Sequence, residues 1–457
     1  MRAPITEYAL KRDLGLWSAV AIVVGTVIGS GIFIVPNTMI RNMGTPEMVF
    51  VVWVVGGLMS LCGALSYAEL SAAMPGAGGE YVYLREAYGP LWSFLYGWTQ
   101  MWVAKSGSIA TLATAFFLYL GNFHPELKQT AGQIPLPFGL PLEISFGQIL
   151  AMVLILLLGG LNYFGVKIGG NVQVLVTVCK VGLIFGVIVI GLGSGHGDVI
   201  NFQTATPVSS PGVAAFFAAL VAALWAYDGW NNVSMVASEI RNPQRNLPLA
   251  LIGGTLAVMG IYLLANLAYF YVLPAGEVAK SDLVAADMMR KIMGQAGANG
   301  VSVAAMISIF AALNGSILTG SRVPYAMAAD GLFFKAVAKV HPQFRTPGIS
   351  ILVLSVWSAI LVLSGGYEQL FTYVIFASWI LYGMTTAAVV VLRRKRPDMP
   401  RPYHTFGYPF VPIVFVLSAL GLVISTLFKS PIESIRGLLI VLAGLPLYYY
   451  WAKRRAQ

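Results

Sequence analysis

Charge is what this chain has least of. Only 10% of its 457 residues are Asp, Glu, Lys or Arg, against about a quarter in a soluble domain, so there is too little polar surface to cover a globule in water. That excludes a soluble enzyme and a disordered scaffold. There are just two cysteines, Cys62 and Cys179, both inside apolar runs, which excludes a disulfide-stapled secreted domain. Four histidines are scattered over loops without metal-ligand spacing. No phosphate-cradling loop is present, which argues against a nucleotide-driven machine. There is also no low-complexity tract, no long linker and no appended soluble domain. What the chain has instead is 58% hydrophobic residues and a mean hydropathy of +0.77, the composition of a polytopic membrane protein.

A helix needs about 20 apolar residues to cross the hydrocarbon core. Twelve stretches qualify: 14–38, 47–72, 90–121, 146–165, 170–194, 212–237, 247–274, 296–326, 348–365, 368–392, 409–428 and 434–452. They are numbered spans 1 to 12 below. The net charge of +10 could suggest nucleic acid, but its distribution reads as topology. With both termini on one side, 18 of the 28 Lys and Arg residues fall on that side, 7 on the other, counting Arg436 at the outer edge of span 12, and 3 within spans. Basic residues collect in cytoplasmic loops, so both termini are expected in the cytoplasm of a multi-pass cell-membrane protein, with nucleic acid excluded as a partner. The first 13 residues are mildly basic and do not read as a cleavable signal.

Two spans contain what a membrane helix avoids. Span 1 reads Gly25-Thr26-Val27-Ile28-Gly29-Ser30-Gly31-Ile32-Phe33, and span 6 reads Trp225-Ala226-Tyr227-Asp228-Gly229-Trp230-Asn231-Asn232. Glycine relaxes the backbone, and unwound backbone is tolerated in a bilayer only where it faces a cavity or protein. Close helix packing is the plainer explanation of the glycines. Two breaks five spans apart, each flanked by polar residues, favour paired discontinuous helices around a midplane binding site. Freed amides at Ser30 and Gly31 suit a carboxylate, and freed carbonyls near Val27 and Trp225 suit an ammonium. A solute bearing both groups an atom apart is an α-amino acid.

At these residues the chain resembles the amino acid–polyamine–organocation superfamily, and within it the L-type amino acid transporters in a stand-alone prokaryotic form. Ser66-Tyr67-Ala68-Glu69-Leu70, Glu239 with Arg241-Asn242-Pro243, Asn314-Gly315-Ser316, Ser321-Arg322 and Leu445-Pro446-Leu447-Tyr448-Tyr449 extend the match almost to the C-terminus. The resemblance implies an all-α membrane protein of leucine-transporter type, one polytopic domain over 1–457. Spans 1–5 (14–194) and 6–10 (212–392) would be inverted repeats, with spans 1 and 6 broken and spans 11–12 (409–452) peripheral. It implies substrate contacts at Thr26, Val27, Ser30, Gly31, Trp225, Asp228, Asn231 and Ser316, and a gate at Trp225; among the other aromatics Phe376 and Trp379 in span 10 are further gate candidates. It places Lys180 where sodium-driven relatives hold sodium, so that an ammonium stands in for the cation. Animal members bond a heavy chain through a cysteine in the outer loop between spans 3 and 4. Residues 122–145 contain none, so no disulfide-linked partner is expected.

The remaining ionisable residues have two readings each. Lys180 is a structural anchor or a coupling residue, with protons as an open co-substrate. Asp228 caps the second half of span 6, selects substrate charge, or both. Lys105 snorkels or pairs with a carboxylate inside the bundle. Glu69 and Glu239 form an inner network with Arg241, Arg322 or Arg85, or are solvated helix-end charges. The sequence therefore reads as a sodium-independent secondary transporter of neutral L-amino acids, not an enzyme, without cofactor or metal. It would work by alternating access as an exchanger or proton-coupled symporter. A carrier of cationic amino acids or polyamines is the alternative. A channel would show a polar stripe or charged ring, which is absent from the sequence.

Overall fold

The computed structural model describes residues 10–121, 123–134, 142–208, 212–364, 367–429 and 431–456. Arg2 and the rest of the N-terminal stretch, and the middle of the loop between spans 3 and 4, lie outside the described residues.

Among the described residues, eight helices are long and apolar enough to cross a membrane. Val213–Tyr227 and Gly348–Leu361 are apolar but shorter. Apolar length forms these helices: a bilayer leaves backbone groups no partner but the helix itself. Their outer faces carry exposed Leu157, Leu175, Val178, Phe185 and Leu417, side chains suited to lipid. The inner faces share one core that includes Trp53, Tyr67, Tyr227, Trp230 and Tyr262. Helix Leu16–Val27 packs against Pro243–Val272, Val166–Gly193 and Val284–Gly320, so span 1 sits inside the bundle rather than against lipid.

Several elements depart from uniform spanning helices. The chain is mostly helical, as expected; beside the helices, Thr130–Ile134 pairs antiparallel with Leu142–Ser145 in the loop between spans 3 and 4. Span 3 is interrupted by a wide π-helical turn at Gln100–Ala104, closed by the Lys105 amide donating to the Gln100 carbonyl. Span 8 belongs to a longer helix, Val284–Gly320, kinked at Gly294, whose φ of +65° only glycine adopts easily. Span 12 is two helices, Pro431–Leu442 and Gly444–Ala456. The loop after span 2 forms helix Glu80–Tyr88, entered through Gly78 and Gly79, both with positive φ.

Candidate functional site

Both expected breaks are present. Span 1 is helical over Leu16–Val27 and again over Gly31–Ile34, and span 6 over Val213–Tyr227 and again over Asn232–Met235. The two breaks face each other. Thr26 Oγ1 lies 3.0 Å from the Gly229 carbonyl. The Tyr262 hydroxyl lies 2.7 Å from the Ala226 carbonyl and 3.0 Å from that of Val27, so one proton serves both broken segments. Gly229 has a φ of +106°, a conformation that a side chain would strain.

The glycines also serve close packing. A Cβ on Gly31 would lie 2.7 Å from Ala226 Cα, and one on Gly25 2.0 Å from the Gln173 amide nitrogen. The packing and binding readings of the motif therefore hold together: the backbone of span 6 comes close because Gly31 has no side chain.

Between the breaks lies a cleft of about 270 Å³. Thr26, Val27, Gly29, Ser30 and Gly31 line it from span 1, Ser108 and Leu112 from span 3, and Trp225 and Asp228 from span 6. Six of the eight residues expected to contact substrate are thus brought together. Ser108 and Leu112 were missed, because nothing local distinguishes them from other small or apolar residues of span 3.

Asn231 and Ser316 are placed elsewhere. Beyond the bend at Gly229, the Asn231 side chain donates to Glu80 in the loop after span 2, not to the cleft. On span 8 it is Ala312 and Gly315 that touch span 1, at Gly29 and Thr26, and about 100° per residue turns Ser316 off that face. Phe376 is buried with its ring against Gly437, and Trp379 stacks on Phe415; neither lines the cleft. The two carbonyls expected to be free each already accept one bond, Val27 from Tyr262 and Trp225 from the Asp228 amide. A carbonyl has a second lone pair, and at Val27 this is where an ammonium would bind.

Lys180 is fully buried, and its ammonium donates to the carbonyls of Gly25 at 2.6 Å and Ile28 at 2.5 Å. Ser308 Oγ of span 8 donates to the same Ile28 carbonyl at 3.0 Å. One cation therefore holds the carbonyls that the break in span 1 would otherwise orphan. Lys105 does not snorkel; its ammonium is buried and donates to Asn232 Oδ1 at 2.6 Å.

Asp228 does not cap the second half of span 6. It ends the first half, its carboxylate accepts from the Tyr382 hydroxyl at 2.9 Å, and Asn231 precedes the helix that follows. The ion pairs also differ in part from expectation. Glu239 and Arg322 form a two-pronged pair with neither side chain exposed. Glu69 pairs instead with Arg393 at 2.7 Å and Arg401 at 3.3 Å, and Arg85 with Asp330. Both Glu69 and Glu239 are buried, so solvated helix-end charge is not their state. Nearby, the Leu14 amide donates to the Glu239 carbonyl and the Arg241 amide to that of Leu14, which ties the start of span 1 to the end of span 6.

Residues 14–447 match the amino acid permease family. The chain belongs to that family. This permease is 35% identical to the serine/threonine exchanger SteT of Bacillus subtilis (strain 168), over 99% of each chain. It is 33% identical to the b(0,+)-type amino acid transporter 1 of Mus musculus over 98% of its own length and 90% of the relative's. It is 32% identical to the human cystine/glutamate transporter over 97% and 87%. The resemblance read from its motifs holds: this is a multi-pass membrane permease for amino acids.

Proposed function

We propose that this permease is a sodium-independent exchanger of small neutral L-amino acids working by alternating access. The observation that carries the reading is the cleft where two broken helices face each other. Substrate carboxylate would lie at Ser30 and Gly31, near the opening of helix Gly31–Ile34, where main-chain amides and the helix dipole favour an anion. Its ammonium would meet the Val27 and Trp225 carbonyls, with Asp228 alongside and the Trp225 ring closing over the site. The likeness to a serine/threonine exchanger favours small side chains. Lys180 would replace a sodium ion, keeping the broken segment neutralised at every step of the cycle.

The architecture that goes with this reading has twelve crossings, repeats over 14–194 and 212–392, peripheral helices over 409–452, and both termini in the cytoplasm of a cell-membrane protein. The excess of basic residues on the terminal side supports that orientation. The protein would work without a disulfide-linked heavy chain, because residues 122–145 contain no cysteine.

Purified protein in liposomes tests the reading. Labelled serine or alanine uptake should require unlabelled amino acid inside and should not change when sodium is withdrawn. Uptake that needs sodium would overturn it. A second reading, transport of cationic amino acids or polyamines, has one specific observation in its favour, the Asp228 carboxylate in the cleft wall. Inhibition of uptake by arginine or putrescine but not by alanine would favour it.

A further inference from the structure

The loop after span 2 contains a carboxylate that composition and spacing did not single out. Glu80 opens helix Glu80–Tyr88 with its side chain wholly buried. Asn231 donates to one carboxylate oxygen, and the Tyr96 hydroxyl to the other at 2.8 Å, with Ser234 Oγ at 3.5 Å. The loop is seated on the second break: the Gly78 amide donates to the Met235 carbonyl at 2.8 Å, and a Cβ on Gly79 would lie 2.5 Å from Ser234 Oγ.

Glu80 belongs to a buried charge cluster. Tyr67 of span 2, Tyr83 of its own helix, Tyr96 and Lys105 of span 3 and Tyr382 of span 10 all lie within electrostatic reach. Lys105 and Tyr382 also feel Asp228. Phenols are neutral at physiological pH, so the formal charges are two carboxylates and one ammonium. Lys180 is held by carbonyls of span 1, not by either carboxylate. A buried carboxylate without a cation is costly and tends to take a proton instead. A separate observation points the same way: Asn231 Oδ1 is buried without a donor, and a protonated Glu80 would bring one beside it. Burial pushes the Glu80 carboxyl up, against hydrogen bonds from its own amide, Tyr96 and Asn231 and against the charge of Lys105.

We propose that Glu80 holds one proton while the cleft is empty and releases it to water when a substrate ammonium arrives beside Asp228. The substrate carboxylate is held apart by the main-chain amides at Ser30 and Gly31, so its ammonium becomes the second positive charge facing Asp228, and Lys105 is then left to balance Glu80. Proton and amino acid compete for one charge vacancy, so binding weakens as pH falls. This rests on the transport reading above and moves proton linkage from Lys180 to the loop after span 2.

The test uses the full-length protein in weakly buffered detergent with a pH indicator, titrated with serine. Wild type should release close to one proton per serine bound, and its apparent affinity should fall in acid. Glu80→Gln imitates the protonated carboxyl; it should bind serine more weakly, release no proton and lose the pH dependence. Proton release persisting in Glu80→Gln, or abolished by Lys180→Met instead, overturns the assignment. If Glu80→Gln does not fold, Glu80→Asp decides: a shifted pH profile supports the proposal and an unchanged one overturns it. Serine binding by wild type without any proton release would refute this inference alone, whereas failure to bind or exchange any amino acid would refute the transport reading beneath it.

Discussion

The ammonium of Lys180 bridges the carbonyls of Gly25 and Ile28, one on each side of the point where helix Leu16–Val27 ends. A hydrogen bond to a charged group is worth about 1.5–3 kcal/mol. Lys180→Ala should therefore cut serine exchange roughly ten- to hundredfold. The measurement is initial uptake into serine-loaded liposomes at matched protein content, and wild-type turnover would show that the bridge is dispensable.

Gly31→Ala tests the close approach of the two breaks. The added methyl would meet Ala226 Cα and Cβ at 2.7 Å, and backbone cannot swing aside as a side chain can. Overpacking costs about 1–3 kcal/mol, and here it falls on the cleft wall. Serine affinity should drop at least about tenfold, while the detergent-solubilised protein remains monodisperse by size exclusion. Gly193→Ala, whose Cβ meets nothing within 4 Å, is the matched control and should bind serine normally.

Glu239 and Arg322 stabilise the N-terminal side of the bundle. Removing one partner of a buried pair leaves the other charge uncompensated, at about 3–5 kcal/mol. Glu239→Gln should lower the thermal unfolding midpoint in detergent well below that of Arg85→Gln, because the Arg85–Asp330 pair is partly exposed. Equal midpoints in the two variants would contradict the ranking.

Asp228→Asn separates the two substrate readings. The main-chain carbonyl at this position is retained, so serine uptake should stay within about threefold of wild type, a change of under 1 kcal/mol. Any inhibition by arginine or lysine should weaken by about tenfold or more, since a charge-assisted contact is lost. Competition curves with unlabelled arginine provide the readout.

Much of this molecule was legible because its strongest signals are local. Apolar length located the membrane helices, and glycine and polar interruptions located both breaks, since a helix cannot hide the residues that end it. Pairings across the fold were not legible in the same way. Glu69 takes Arg393, 324 positions away, and Asn231 takes Glu80; neither choice follows from spacing along the chain. Tyr262 and Glu80 escaped notice because one looks like any interfacial tyrosine and the other like any loop carboxylate. Ser316 was misplaced by one step around its helix, since matching a motif identifies a neighbourhood and not a direction. The division of span 12 falls where an apolar run gives way to Gly444, Pro446 and a tyrosine-rich, basic end, a local signal that counting apolar length passes over.

The wide turn at Gln100–Ala104 makes span 3 sensitive to length. A π-helical turn holds one residue more than an α-helical one, so the residues on its two sides follow different counts around the axis. Deleting a single residue inside the turn would restore a regular helix: the Lys105 amide, now bonded five residues back to Gln100, would bond four residues back, and both flanks would keep their positions. Wound as an α-helix at its present length, span 3 would instead put Ala104 where Lys105 now stands, so the wide turn itself is what holds the ammonium at the centre of the bundle. Sequences related to this one should be compared at this turn by counting before they are compared by identity.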